Sequence, residues 1–263
     1  MLILCASLIL CGACVLQADK LSVLVQVRCC GLTDKLANNF NLRSEMMSLT
    51  GPGARVAKAM CDYMIQRAEL DMATRGEGPA TNDPPNHVRT GWLALKNAIL
   101  FSKCVENSAF DNCPQIFAQL KGVGEVTARR LFSNCKSFEQ LMGSDPQLIA
   151  ELTGHQVKWV HELLDMVHRD IPLYQTQISQ LGYTPATKCA RVLVNFGMFL
   201  VRDDAPKLRR PAQHVAHLIV GSLKKELFFY RRIPASQLPF QATIDVPLGT
   251  QLKAYIIDDK IGL

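Results

Sequence analysis

Up to about residue 170, apolar residues recur every three or four positions, a spacing that predicts amphipathic helices. The almost wholly apolar residues 1–16 lead without a break into KLSVLVQV at 20–27, which we interpret as the next turns of a core helix. Gly51-Pro52-Gly53 predicts a break, after which 54–70 form a helix with Val56, Met60, Tyr63 and Met64 on its apolar face. Residues 92–106 predict another helix, and the Gly-, Pro-, Thr- and Asn-rich 74–91 predict a mobile loop.

Beyond Ile171-Pro172 the apolar spacing changes from helical to alternating, which predicts strands. The alternating segments are 174–178, 190–196, 216–220, 227–229, 243–246 and 254–257. Turn residues separate them at nearly even spacing, so we expect an antiparallel β-sandwich of about seven strands, immunoglobulin-like in type.

The predicted class is therefore α+β with several domains. An apolar segment at 1–17 precedes a helical bundle at 18–110, a helix-hairpin-helix with a degenerate second copy at 111–170, and the β-sandwich at 171–263. Residues 1–16 resemble the core of a signal peptide, but they lack a positive n-region and are too short to span a bilayer. We favour a buried helix there.

The most informative stretch is 120–131, LKGVGEVTARRL. An apolar helix ends near Leu120, glycines flank Val123, and a second helix follows with Ala128 and Leu131 facing inward. We expect both glycines to adopt backbone angles closed to other residues and to leave no side chain over the turn. The amides of the turn and of the helix start would then face solvent, where the helix dipole favours an anionic oxygen. This pattern is typical of a helix-hairpin-helix, which grips nucleic-acid phosphates without reading bases.

The candidate nucleic-acid-binding residues all lie in this turn or at the start of its second helix: Lys121, Gly122, Val123, Gly124, Thr127, Arg129 and Arg130. Val123 is expected to anchor the turn in the core, and the cations to attract phosphate. The alternative is a tight corner between two helices that has no ligand.

A degenerate copy of the motif follows, in which Gly154 matches Gly122 and Gln156 matches Gly124. Because the second glycine is lost, we expect this copy to pack against the intact one and to bind phosphate weakly or not at all. Its polar residues, His155, Lys158 and His161, are most simply explained as a solvated helix face.

Composition is that of a folded globular chain: 263 residues, 48% hydrophobic and 20% charged. A net charge of +6 permits an acidic partner without requiring one. Most of the ten cysteines lie in apolar stretches, among them Cys61, Cys104, Cys135 and Cys189, and are expected to be reduced core thiols. Neither Cys11-Gly-Ala-Cys14 nor the pair His214 and His217 predicts a metal site.

The order of these parts resembles the module that follows the motor in Ski-two-like superfamily-two helicases, a region shared with the Sec-sixty-three translocon subunit. The similar segments are KLSVLVQV, VAKAMCDYM, WLALKNAILFSKCVEN, HLIVGSLKKELFFYRR and KAYIIDDKIGL. Their spacing is most similar to the meiotic crossover (Mer-three type) DNA helicases, with the splicing (Brr-two type) RNA helicases second. The resemblance covers residue 18 to the end.

The resemblance implies an accessory module of an ATP-dependent, nuclear DNA helicase of meiotic recombination, which contacts single-stranded or branched DNA, with RNA as the alternative. It also implies a protein partner for the sandwich, helicase motor domains in cis in a full-length protein, and no membrane. The chain has no G-x-x-x-x-G-K-[ST] loop and no Asp-Glu-x-His motif. We therefore expect a motor-less fragment that is not itself an enzyme and has no cofactor, since ATP and Mg would belong to a missing motor.

Three other interpretations remain. A protein-interaction scaffold would use the basic loop at 202–213, which carries Arg202, Lys207, Arg209 and Arg210. A protein of the secretory pathway or endoplasmic reticulum would use residues 1–16 as a signal, but a J-type His-Pro-Asp motif is absent. An independent enzyme would use His161, Asp165 and His168, for which no nucleophile motif is visible.

Overall fold

A computed structural model describes residues 17–32, 40–74, 90–110, 112–185, 188–199 and 213–259. The apolar segment 1–16 lies outside the described residues, as do nearly all of the predicted loop 74–91 and of the basic loop 202–213. In the part of the chain that is described, no helix combines the length and apolar character needed to cross a membrane.

The α+β class is confirmed: the described ranges contain eight α-helices followed by six strands. The helices are α1 (Gln17–Cys29), α2 (Phe40–Ala73), α3 (Trp92–Asn107), α4 (Gln115–Ala118), α5 (Glu125–Asn134), α6 (Phe138–Met142), α7 (Pro146–Thr153) and α8 (Val157–Asp170). The strands are β1 (Tyr174–Thr184), β2 (Cys189–Met198), β3 (Val215–Ser222), β4 (Leu227–Pro234), β5 (Phe240–Pro247) and β6 (Leu252–Asp258). All six alternating segments are therefore strands.

The predicted break at Gly51-Pro52-Gly53 is wrong, because these residues lie inside α2, a continuous helix of 34 residues. An interior proline removes one backbone hydrogen bond and costs about 3 kcal/mol. Both halves of the helix bury apolar residues, Met46 before the triplet and Ile65 after it. Burial of this kind stabilises a helix more than propensity does, so the helix persists.

The predicted apolar face of 54–70 is wrong for three of its four residues: Val56, Met60 and Tyr63 are each about 60% exposed. Met64 is half-buried and packs against the core. The buried row instead consists of Ala57, Cys61, Ile65 and Ala68, three of which are small. Two apolar rows therefore compete on this helix.

Two compact units make up the described chain. Among the described residues, one unit takes those within 17–58 and 101–167, and the other takes those within 59–100 and 168–259. The domain boundaries at 110 and 170 stay a prediction.

The second unit contains two three-stranded antiparallel sheets, with strand orders β1-β2-β5 and β4-β3-β6. Alternate residues of both sheets, such as Val194, Phe196 and Leu218, form one hydrophobic cluster between them. The opposite face of β3 is also buried, since Ile219 packs against Ile65 of α2 and Leu95 of α3. The sequence pattern alone did not assign these helices to the sheet.

In the first unit, Val23 and Leu24 of α1 pack with Met46 of α2, which confirms the core helix predicted over KLSVLVQV. Between α4 and α8 the fully buried residues include Phe117 and Phe138, whose rings meet edge-on with centroids 5.5 Å apart. The glycine turn follows directly after α4, and its Val123 side chain is buried like Phe117.

Candidate nucleic-acid interface

The turn between α4 and α5 lies on the surface and is held by a single buried side chain. Val123 is 6% exposed, and its amide donates to the carbonyl oxygen of Leu120 at 3.1 Å. Lys121, Gly122 and Gly124 are exposed. As predicted, Val123 anchors the turn in the core.

The two glycines differ, and the expectation that both adopt angles closed to other residues is wrong for one of them. Gly122 has φ +83°, in the left-handed region that favours glycine. Gly124, the N-cap of α5, has φ −81° and ψ 170°, an extended conformation open to any residue. A Cβ added at either position would meet no atom within 4 Å, so what both share is open space above the turn.

Backbone amides of the turn and of the first turn of α5 lie at or beside these two exposed glycines. Within the described residues, the N–H groups of Gly122, Gly124, Glu125 and Val126 donate to no acceptor, and Gly124 provides no side-chain cap. The first N–H groups of a helix have no partner inside the helix, and the dipole gives this end partial positive charge. The surface is therefore suited to an anionic oxygen.

Cations surround the turn, but they differ in their contacts. The Lys121 side chain makes no ion pair within the part of the chain that is described. The Arg129 guanidinium lies 2.8 Å from a Glu125 carboxylate oxygen and 3.4 Å from the carbonyl oxygen of Gly31. Arg130 donates to the carbonyl oxygen of Thr153 at 2.8 Å. Lys121 is thus the cation of this set that is held least by the protein.

The second copy has the same local geometry in its first half. Gly154 ends α7 with φ +76°, matching Gly122, and α8 begins at Val157 as α5 begins at Glu125. Val160 and Ala128, which occupy matching positions, are both fully buried. The pairing of Gly154 with Gly122 is therefore reproduced in backbone conformation.

An aromatic pair beside the turn was missed from sequence. The His155 and Trp159 rings stack with centroids 4.0 Å apart and an interplanar angle of 27°. His155 Nε2 lies 3.3 Å from the hydroxyl of Thr127, a predicted site residue on α5. His155 precedes α8 by two residues and Trp159 lies in its first turn, so helical spacing alone does not indicate that the two rings stack.

No group of metal-ligating side chains occurs in the described ranges. His214 Nδ1 lies 3.2 Å from Asp258 Oδ2, whereas His217 Nδ1 lies 2.9 Å from the Tyr230 hydroxyl. The two histidines thus serve separate buried hydrogen-bond networks. Cys61, Cys104 and Cys135 are buried, as expected for core thiols, whereas Cys189 is only half-buried.

No family model matches the chain. The ATP-dependent DNA helicase MER3 homolog of Oryza sativa subsp. japonica is 22% identical over 94% of this chain and 19% of its own length. The ATP-dependent DNA helicase homolog MER3 of Arabidopsis thaliana is 22% identical over 87% of this chain and 18% of its own length. The probable ATP-dependent DNA helicase HFM1 of Xenopus tropicalis is 18% identical over 77% of this chain and 14% of its own length.

These similarities cover most of the chain, including both the helices and the strands. They agree with the resemblance found from the segments quoted above. The chain is therefore related to the MER3-type ATP-dependent DNA helicases, and it spans about a fifth or less of the length of these relatives.

Proposed function

We propose that α4, the turn 119–124 and α5 form a helix-hairpin-helix that grips the backbone phosphate of single-stranded or branched DNA without base specificity. The observation that carries the proposal is that the amides of Gly122, Gly124, Glu125 and Val126 donate to no acceptor among the described residues. A Cβ added at either glycine would meet no atom within 4 Å. Helix N-termini with open approach are general sites for phosphate oxygens.

Lys121 supplies the main positive charge at this site, and Arg129 and Arg130 add to it from α5. Contacts of this type position a strand and carry no sequence information. Their strength depends on salt, because each neutralised phosphate releases counterions.

The module serves an ATP-dependent DNA helicase of the meiotic recombination type, in the nucleus. The relatives are ATP-dependent DNA helicases by name. Hydrolysis of ATP with Mg would belong to motor domains outside this sequence, and the module would hold the strand on which they act.

We also infer that the two sheets are an immunoglobulin-like sandwich. In that fold, strands A, B and E share one sheet, and strands C and F share the other. The order β1-β2-β5 corresponds to A-B-E, and β4-β3-β6 places C′ and F on either side of C. Surfaces of such sandwiches commonly contact proteins.

The test is a pair of substitutions at Gly124 in the 263-residue chain. Gly124→Asp places a carboxylate over the amides, where it caps α5 and repels phosphate. Gly124→Asn has the same size without the charge. We expect Gly124→Asp to weaken binding of a fluorescent oligo-dT strand by tenfold or more and Gly124→Asn to weaken it much less.

Both variants are expected to retain the stability of the parent chain in urea, because the site has room for a side chain. Lys121→Ala should lower the slope of log K against log salt by about one ion. Equal binding by the Asp, Asn and parent proteins would show that this turn is not the DNA contact. A matched oligo-rU strand measures the preference between DNA and RNA.

A further inference from the structure

The aromatic pair of His155 and Trp159 has a geometry that a solvated helix face does not require. The two rings are stacked, and the outer ring, His155, belongs to an exposed residue, whereas Trp159 is half-buried. Trp159 lies in the first turn of α8 and is half-buried, so the protein covers part of the inner side chain.

A second contact holds the histidine. The His155 Nε2 atom is hydrogen-bonded to the Thr127 hydroxyl at 3.3 Å. The imidazole is therefore positioned by two contacts, Trp159 against one ring face and Thr127 at the ring edge. An exposed ring held in this way loses little conformational entropy when a ligand stacks on it.

The pair lies beside the row of open amides. Thr127 belongs to the first turn of α5, the same turn whose amides at Glu125 and Val126 have no acceptor among the described residues. One helical turn rises about 5.4 Å. An aromatic face therefore adjoins the anion-binding amides.

We propose that His155, stacked on Trp159, is a platform for one nucleobase of a single strand whose phosphate is held by the turn after Lys121. The inference rests on the proposed phosphate contact and adds to it a requirement for an unpaired base. Every base has a π-face, so the platform is tolerant of sequence. It makes the site selective for single strands over duplexes, in which the bases are already stacked.

The experiment compares three ligands of equal length on the 263-residue chain: oligo-dT, an abasic strand with the same phosphates, and a duplex. A base stacked on an aromatic side chain contributes about 1–3 kcal/mol. The parent chain is therefore expected to bind oligo-dT at least about fivefold more tightly than the abasic strand, with equal salt slopes for the two strands.

His155→Ala is expected to remove that difference and to leave abasic-strand affinity unchanged, whereas His155→Phe restores a ring and retains the difference. The chain has two tryptophans, Trp92 and Trp159. Quenching of tryptophan emission by oligo-dT should fall in His155→Ala. Urea melts of both variants check that the fold is kept.

The outcomes separate the two proposals. Equal affinity of the parent for dT and abasic strands, with normal salt dependence, overturns the platform and leaves the phosphate grip intact. If His155→Ala weakens the binding of the dT and abasic strands equally, the platform is also overturned, since the residue would then act on phosphate. Failure of the parent to bind any of the strands at low salt overturns both proposals.

Discussion

The guanidinium of Arg130 in α5 donates a hydrogen bond of 2.8 Å to the carbonyl oxygen of Thr153, the last residue of α7. This bond joins the intact glycine motif to its degenerate copy, because Gly154 follows Thr153 directly. The last carbonyls of a helix have no partner within it. Arg130, which was predicted to contact phosphate, thus also caps the C-terminal end of α7.

Arg130 is therefore expected to act on stability more than on DNA binding. Arg130→Leu keeps the aliphatic bulk and leaves the Thr153 carbonyl without its donor, which should lower the free energy of unfolding by about 1–2 kcal/mol. Urea denaturation monitored by circular dichroism measures this change. The salt slope of oligo-dT binding should change by less than it does in Lys121→Ala. A variant of unchanged stability with a reduced slope would place Arg130 at phosphate instead.

The two glycines of the turn provide a matched pair for backbone strain. Gly122→Ala forces a side chain into φ +83° and should cost about 1 kcal/mol of stability. Gly124→Ser should not lower stability, since its angles are ordinary, its surroundings are open and serine is a favoured N-cap residue. The urea denaturation midpoints of the two variants measure this difference, and equal losses of stability would contradict the assigned turn geometry.

A second matched pair tests the packing of α3 on the sheet. A Cβ added to Gly221 would lie 2.1 Å from the ring of Trp92, whereas one added to Gly182 would meet no atom within 4 Å. Both glycines lie at register shifts in their strands. Gly221→Ala should destabilise by about 1–3 kcal/mol through overpacking, and Gly182→Ala should be close to neutral.

The readouts for this pair are thermal unfolding and tryptophan emission. Trp92 also donates from Nε1 to the carbonyl oxygen of Ser222 at 2.6 Å and stacks on Tyr255. Displacement of its ring in Gly221→Ala should therefore shift the emission maximum. No change in either signal would mean that Trp92 does not cover Gly221.

Burial raises the pKa of the Cys29 thiol from 9.0 to about 12, with smaller contributions from Cys104 and Cys30 and an opposing one from Arg28. Above pH 9 the unfolded chain loses this proton while the folded chain keeps it. Stability should therefore fall as pH rises from 9 towards 12, by at most about 1.4 kcal/mol per pH unit.

Cys29→Ala should remove this contribution from the slope of unfolding free energy against pH, measured between pH 8 and 10.5. Cys113→Ala, at a half-exposed cysteine, serves as the comparison. An unchanged slope in Cys29→Ala would show that the thiol is not protected by burial. In the native chain, Cys29 should also react slowly with a thiol reagent near neutral pH.

Much of this fold was predictable because its signals are local. Alternating residues such as Val192, Val194 and Phe196 marked a strand, since side chains alternate across a sheet whatever lies beyond it. Ser137 is a residue type favoured as an N-cap, and its hydroxyl accepts from the Gln140 amide. Pro146, at the start of α7, occupies the position that proline favours in a helix.

Predictions failed where two local options were nearly equal. On α2 either Val56, Met60 and Tyr63 or Ala57, Cys61 and Ile65 could have faced the interior, and only the neighbouring elements distinguish these rows. Propensity alone predicts a break at Pro52, although burial on both sides of it outweighs the lost hydrogen bond. The sequence does not distinguish Gly124 from Gly122, because residue type does not report φ.

The sequence by itself determined which part of the chain is helical, which alternating segments are strands and where the glycine turn lies, because hydrophobic period and glycine placement act over a few residues. Only the tertiary structure decided which face of α2 is buried, that Arg130 holds Thr153, and that His155 lies against both Trp159 and Thr127. These contacts join residues of separate elements, and the distances between them depend on how the elements pack.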